Sequence, residues 1–291
     1  NHDVIINGET GNINGTTYGI FAYKNLSIAQ GAKTGNISGA SGGMMAIADI
    51  TIEGAAGNIS GTHGIYAMGN IYISGELISV SGQCAIRAIN GNIEISGTVG
   101  AISGNGGSTN TGNSYGIRAD NGKVTIKNTV GPISAHSDGE NISIIAIRAL
   151  TGIETADNIG IKAPANSKID MYNDSYYTVF DTAGTEDSGD DTVAKNVELT
   201  YVYTVTFIVD GETLATVQVN HGENVTLPEI PAKDGYAAAW DKNGDNITAD
   251  TEINAVYTLI PTTSEPAIPE PPQNGDSSYT ALWITLLSIS I

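Results

Sequence analysis

The sequence predicts a mainly β chain: a right-handed parallel β-helix of about seven coils of about 22 residues, then a small second β domain and a disordered Pro-rich C-terminal tail. Three observations predict it. The motif Gly11-Asn12-Ile13-Asn14-Gly15 recurs as Gly35-Asn36-Ile37-Ser38-Gly39 and Gly57-Asn58-Ile59-Ser60-Gly61, with weaker copies around Val80, Ile102 and Ile133. Each copy is followed by short elements that alternate apolar and polar residues, the period of a strand with one buried face. Glycine supplies 36 of the 291 residues while only 15% are charged and 6% aromatic, a composition suited to many tight turns.

The elements of one unit follow in order. After the Gly-Asn-Ile element comes an apolar residue, any residue, then alanine: Ile20/Ala22, Met44/Ala46, Ile65/Ala67, Ile86/Ala88, Ile117/Ala119, Ile147/Ala149 and Ile161/Ala163. A third element reads Leu26/Ile28, Ile50/Ile52, Ile71/Ile73, Ile93/Ile95 and Val124/Ile126, with Ile153/Thr155 and Ile169/Met171 less regular. Strands this short bury their apolar faces only by stacking on the next unit. Asn12, Asn36 and Asn58 fall in one column, where their amides can hydrogen-bond along the stack. Residues 104–114 and 134–143 break the period and read as surface insertions.

The residues between each apolar position and its alanine face outward. In coil order they are Phe21, Met45, Tyr66, Arg87, Arg118, Arg148 and Lys162. Two cations one rung apart repel by about 1 kcal/mol even in water, so this column calls for anions beside it. Glu94, Glu154 and Asp170, outward on the neighbouring strand, are the expected counter-charges. The functional reading makes Arg87, Arg118, Arg148 and Lys162 a linear docking site for an anionic or sugar-rich polymer, with Tyr66, Tyr72 and Phe21 as stacking platforms.

Charge and reactive residues exclude other classes. The formal net charge of −19 disfavours nucleic acid, whose binding depends on clustered cations. Of the 31 acidic residues, 20 lie after residue 164, against 4 of the 12 basic ones, which separates two differently built halves. Cys84 is the single cysteine, and His2, His63, His136 and His221 are too dispersed for a zinc finger, so no metal or cofactor is expected. The coil architecture resembles the pectin-lyase-like superfamily, which holds polysaccharide lyases, glycoside hydrolases and adhesins. Glycoside hydrolysis needs paired carboxylates on one face, whereas the acids here (Asp49, Asp120, Asp138, Glu53, Glu94, Glu154) are scattered. Catalytic residues are therefore not assigned.

Residues 1–175 form the expected β-helix and 176–198 a cap with an acidic linker, Gly184-Thr185-Glu186-Asp187-Ser188-Gly189-Asp190-Asp191. Over 199–259, Leu199–Val209 and Thr213–Val219 read as a hairpin turned at Asp210-Gly211. The run Tyr203-Thr204-Val205-Thr206-Phe207, His221-Gly222-Glu223, Gly235-Tyr236, Trp240-Asp241 and Ile253-Asn254-Ala255-Val256-Tyr257 resembles an internalin-type B-repeat, a β-grasp-like module of bacterial surface proteins. That resemblance implies an extracellular spacer or interaction module, and Phe207, Tyr236, Trp240 and Tyr257 are its expected core. Residues 260–278 are a Pro-rich linker, and Pro272-Gln273-Asn274-Gly275-Asp276 resembles the sortase sorting signal of Gram-positive surface proteins, with Asn274 where the acyl-donor Thr normally stands. Residues 279–291 begin a hydrophobic anchor, too short to span a bilayer alone.

Together these readings describe a non-catalytic adhesin or stalk in the cell wall or at the cell surface, attached through its C-terminus. Candidate partners are an anionic polysaccharide, a host glycan, mucin or another surface protein, and no homo-oligomer is expected. A carbohydrate-active enzyme on the β-helix is the alternative. Because the chain opens with Asn1 and Gly11–Ile28 already has full repeat character, it reads as a piece lacking its signal peptide, with more coils upstream.

Overall fold

The computed structural model describes residues 2–106, 113–137, 143–165, 167–182 and 192–261. The acidic run at 184–191, the sorting-like motif Pro272, Gln273, Asn274 and Gly275, the tail and the middles of both insertions lie outside the described residues. No helix occurs among the described residues.

Three parallel walls carry the repeats, in an arrangement compatible with a β-helix. The first wall has seven strands: Val4–Ile6, Leu26–Ile28, Ile50–Ile52, Ile71–Ile73, Ile93–Ile95, Lys123–Ile126 and Gly152–Thr155. The second is built from Ile13–Gly15, Ile37–Gly39, Ala55–Ser60, Glu76–Gly82, Thr98–Asn105 and Ile133–His136. The third stacks Tyr18–Ala22, Gly42–Ala46, His63–Ala67, Cys84–Ala88, Ser114–Ala119 and Ile144–Ala149. Pairing is in register, so identical motif positions meet: Ile71 lies between Ile50 and Ile93, and Ala67 between Ala46 and Ala88. The inward isoleucines are fully buried in one continuous core. Each such side chain contributes roughly 1.5–3 kcal/mol of burial.

Two polar ladders hold the turns in step. Asn12 Oδ1 accepts from Asn36 N and Asn36 Oδ1 from Asn58 N, both at 2.9 Å. A second ladder, mixing acids and amides, runs at the entry to the first wall. Its side chains Asp3, Asn25, Asp49, Asn70 and Asn92 each accept from the backbone N of the next coil, ending on Lys123. One core position is poorly served. Thr34 is 8% exposed in a column with Ala56 and Leu77, and its Oγ1 has no partner among the described residues. Thr34→Val keeps the shape and removes an unsatisfied hydroxyl, so it should raise the urea midpoint, by about 1 kcal/mol of stability.

Regular stacking stops at Thr155, short of the expected residue 175. Ile159–Ala163 and Lys168–Tyr172, read above as parallel rungs, are antiparallel: the first pairs with Asn196–Val209, the second with Tyr176–Asp181. The alternating pattern survives because it fixes which face is buried and not which way the partner strand runs. Tyr176–Asp181 adds antiparallel to Arg148 and Ala149 and so closes the end of the third wall. The hairpin turn holds Asn173 and Asp174 at φ 47° and 53°, a left-handed geometry that Asn and Asp tolerate.

Asn196–Val209 is one unbroken strand of 14 residues. Its first part pairs with Ile133–His136 and with Ile159–Ala163, and its second part with Glu212–Asn220 and Thr251–Leu259. The C-terminal sheet therefore grows directly from the strand that closes the solenoid. Its order is Glu212–Asn220, Asn196–Val209, Thr251–Leu259, Tyr236–Trp240, with the two central strands parallel. Asp210 and Gly211, at φ 50° and 85°, make the tight two-residue turn read from the sequence. Val205, Phe207, Val219, Ile247 and Ile253 form the core, with Trp240 against Phe207 at 5.3 Å and its Nε1 donating to Pro228 O. Tyr236 and Tyr257 do not join it. Val225, Leu227 and Ile247 fill the inner face instead, leaving Tyr236 39% exposed and both rings within cation–π reach of Lys233.

Candidate functional site

Register places Tyr66, Arg87, Arg118 and Arg148 on successive rungs of the third wall, facing outward. Lys162 is not the next rung. Its strand has left the wall to pair with Asn196–Val209, and the position after Arg148 is taken by Thr178. Tyr72 is also elsewhere: it sits on the first wall between Thr51 and Glu94, 41% exposed. Period-two alternation gives a residue's face but not its wall.

Among the described residues the arginines share one counter-charge, and it is not among the three acids expected. Asp120, in the turn that follows Arg118-Ala119, receives Arg87 Nη2 at 2.8 Å, Arg148 Nη1 at 3.2 Å and the Nε of Arg118. Glu94 instead pairs with Lys127, Glu154 with Lys123 and Asp170 with Lys168. These are exposed pairs, of the kind that contribute little. Each arginine also lies over an aromatic ring: Arg87 over Tyr66 at 5.7 Å, Arg118 over Tyr115 at 4.6 Å and Arg148 over Tyr176 at 4.5 Å. Guanidinium planes held this way keep their stems packed and their remaining donors outward.

Sequence reasoning missed Asp120, Tyr115 and Tyr176. A second outward column three residues before the arginine column reads Tyr18, Gly42, His63, Cys84, Tyr115 and Ile145. Between the two columns a small inward residue makes the corner, Gly64 in the His63–Ala67 strand, and this irregularity hid the column. Cys84, Tyr115 and Ile145 form a small apolar cluster with Tyr176 and Val193 from the closing strands. Burial pushes the Cys84 thiol up to about 12, so it is no nucleophile at neutral pH. No group of three or more His, Cys, Asp or Glu among the described residues could hold a metal ion.

His63 stands at the head of the arginine column, its Nε2 3.5 Å from Arg87 Nη1. Burial first, and then the Arg87 charge, hold its imidazole below the ordinary 6.5, against opposing contributions from the Ser41 backbone and Asp120. The unfolded chain therefore takes up this proton at higher pH than the folded one. Stability should fall as pH drops from about 6.5 toward the lowered folded value. His63→Gln should flatten that part of a stability–pH profile measured by urea unfolding, and an unchanged slope would count against a neutral His63.

The described residues thus form parallel walls compatible with a stacked-coil β fold, with polar chemistry on an outer wall and a small mixed sheet continuing from its end. Residues 203–263, which include most of that sheet, match the Listeria-Bacteroides repeat domain, a repeat of bacterial surface proteins. No curated protein matches the chain.

Proposed function

We propose that the chain is a non-catalytic adhesin or stalk displayed at the bacterial cell surface, a β-helical rod whose third wall binds an acidic glycan or a similarly charged surface partner. The observation that carries this reading is the arginine column: three guanidinium groups on one outward face meet, among the described residues, a single carboxylate, Asp120. In a chain of net charge −19, that is a local excess of cations on stacked aromatic supports. The C-terminal repeat, read as a β-grasp-like module, supports a location at the envelope. Attachment through the Pro272-Gln273-Asn274-Gly275 motif and the apolar tail rests on the sequence alone.

The test is binding of the full chain to immobilised acidic and neutral polysaccharides across a salt series, with released sugar assayed in the same wells. Binding to acidic polymers should weaken with salt and drop at least about tenfold in Arg118→Ala/Arg148→Ala, a difference of about 1.4 kcal/mol, with no product released. Released product would favour a lyase or hydrolase. Absence of binding at any salt would leave a structural rod.

A further inference from the structure

The outward column Tyr18, Gly42, His63, Cys84, Tyr115, Ile145 lacks a side chain at one rung, Gly42. A side chain there would press on the Tyr18 ring and on the His63 backbone. The φ of Gly42 is not among the positive ones, and an added Cβ would lie 3.1 Å from the Tyr18 ring and 3.3 Å from His63 O. Compare Gly43 next to it, where a Cβ would come within 2.6 Å of the buried Ile59 side chain. Beside this rung, against Tyr18, Met45 and His63, lies a surface pocket of about 290 Å³. Tyr18 and Tyr66 wall it, the hydroxyls of Ser41 and Thr62 and the His63 imidazole rim it, and Arg87 closes the end that leads to Arg118 and Arg148.

We propose that this pocket binds one pyranose ring carrying a carboxylate, a uronic acid unit of an acidic glycan, with the carboxylate toward Arg87 and His63. The proposal rests on the reading of the arginine column given above and adds a recognition subsite at its head. Size favours one ring: at about 290 Å³ the pocket lies at the small end of ligand sites. The lining is mixed in the way a sugar needs. Tyrosine rings offer apolar faces, Ser41 can exchange hydrogen bonds with ring hydroxyls, Thr62, whose Oγ1 already donates to Ala40 O, can accept one, and a guanidinium forms charge-assisted bonds to a carboxylate. Asp120 takes the Nε and Nη2 of Arg87, while Nη1 is directed toward His63 and the pocket. Further units of the same glycan would meet the next arginines, about 4.8 Å apart along the wall.

The experiment is titration of the full chain with D-glucuronate, D-glucose and inorganic sulfate, following His63 ring signals by NMR, in wild type and Gly42→Leu. Glucuronate should shift the His63 signals, bind at least tenfold more tightly than glucose, resist displacement by equimolar sulfate, and lose at least tenfold in affinity in Gly42→Leu. If Gly42→Leu does not fold, Tyr18→Ala, which removes one wall, should show the same loss. Equal binding by sulfate would reduce the pocket to an anion site and overturn the proposal, as would glucuronate binding that is unchanged in a folded Gly42→Leu. The two readings fail separately. Polymer binding lost in Arg118→Ala/Arg148→Ala but indifferent to Gly42→Leu overturns the pocket alone, whereas glucuronate bound here with no polymer bound at any salt overturns the adhesin reading and leaves the pocket.

Discussion

Asp120→Asn should lower the stability of the chain by about 2–3 kcal/mol at low ionic strength, the scale of losing charge-assisted hydrogen bonds at a partly buried site. The reason is specific to the stack. Arg87, Arg118 and Arg148 occupy adjacent rungs and converge on this one carboxylate, so asparagine leaves three positive charges facing one another with a neutral acceptor between them. The loss should be recovered by sulfate, which binds the folded state and takes the place of the missing charge. The same substitution should tighten binding to acidic polymers, since it releases guanidinium donors that Asp120 now occupies. Melting curves of wild type and variant with and without sulfate measure the first effect, and the immobilised-polymer assay the second. A variant that melts with wild type and ignores sulfate would mean that the arginines are held by their aromatic supports, with Asp120 a bystander.

Gly64→Val should do more damage, about 3 kcal/mol or more, although it touches no charged group. Gly64 faces inward at the corner between the second and third walls, and a Cβ there would lie 2.5 Å from Val80 Cγ1, 2.7 Å from Ala85 O and 3.0 Å from Ser81 O. Two of the three are backbone atoms fixed by the stack, so neither rotamer change nor local collapse relieves the clash. Alanine already occupies the equivalent rungs at Ala85 and Ala146, both fully buried. Gly64→Ala brings the same Cβ and should lose about 2–3 kcal/mol, somewhat less than valine, while Gly42→Ala, whose Cβ would meet the Tyr18 ring at 3.1 Å, should lose about 1 kcal/mol. Urea midpoints of the three variants rank them, and equal midpoints for Gly64→Val and Gly42→Ala would show that the corner is looser than its geometry.

These two residues also mark what the sequence discloses and what it hides. The isoleucine columns are legible because alternation and a recurring motif both point to them, and the arginine column follows from the same register. Asp120 is not legible as its partner. It lies in the turn after its strand and reaches back to the rungs on either side, a relation that no spacing within one repeat expresses. The ladder Asp3, Asn25, Asp49, Asn70, Asn92 escaped for a different reason: aspartate and asparagine do the same work as acceptors there, so no single letter repeats. Lys162 was misplaced because Ile161 and Ala163 keep the apolar alternation of a rung while pairing antiparallel with the closing strand. Size alone marks Tyr236 and Tyr257 as core, whereas Val225 and Leu227, from the extended crossing segment, cover the sheet first.

The strand Asn196–Val209 has a mechanical consequence. Two modules joined by a loop pivot at the loop, and a pull on one end peels contacts apart in sequence. Here the joint is itself a paired strand, bonded to Ile133–His136 and Ile159–Ala163 on one side and to Glu212–Asn220 on the other. A pull entering from the C-terminal sheet runs along this strand and loads its bonds together, in shear, so the arginine wall keeps its bearing relative to that sheet. The molecule is therefore a lever with no elbow, and a protease seeking a cut between its two parts finds a hydrogen-bonded strand where a linker would otherwise be.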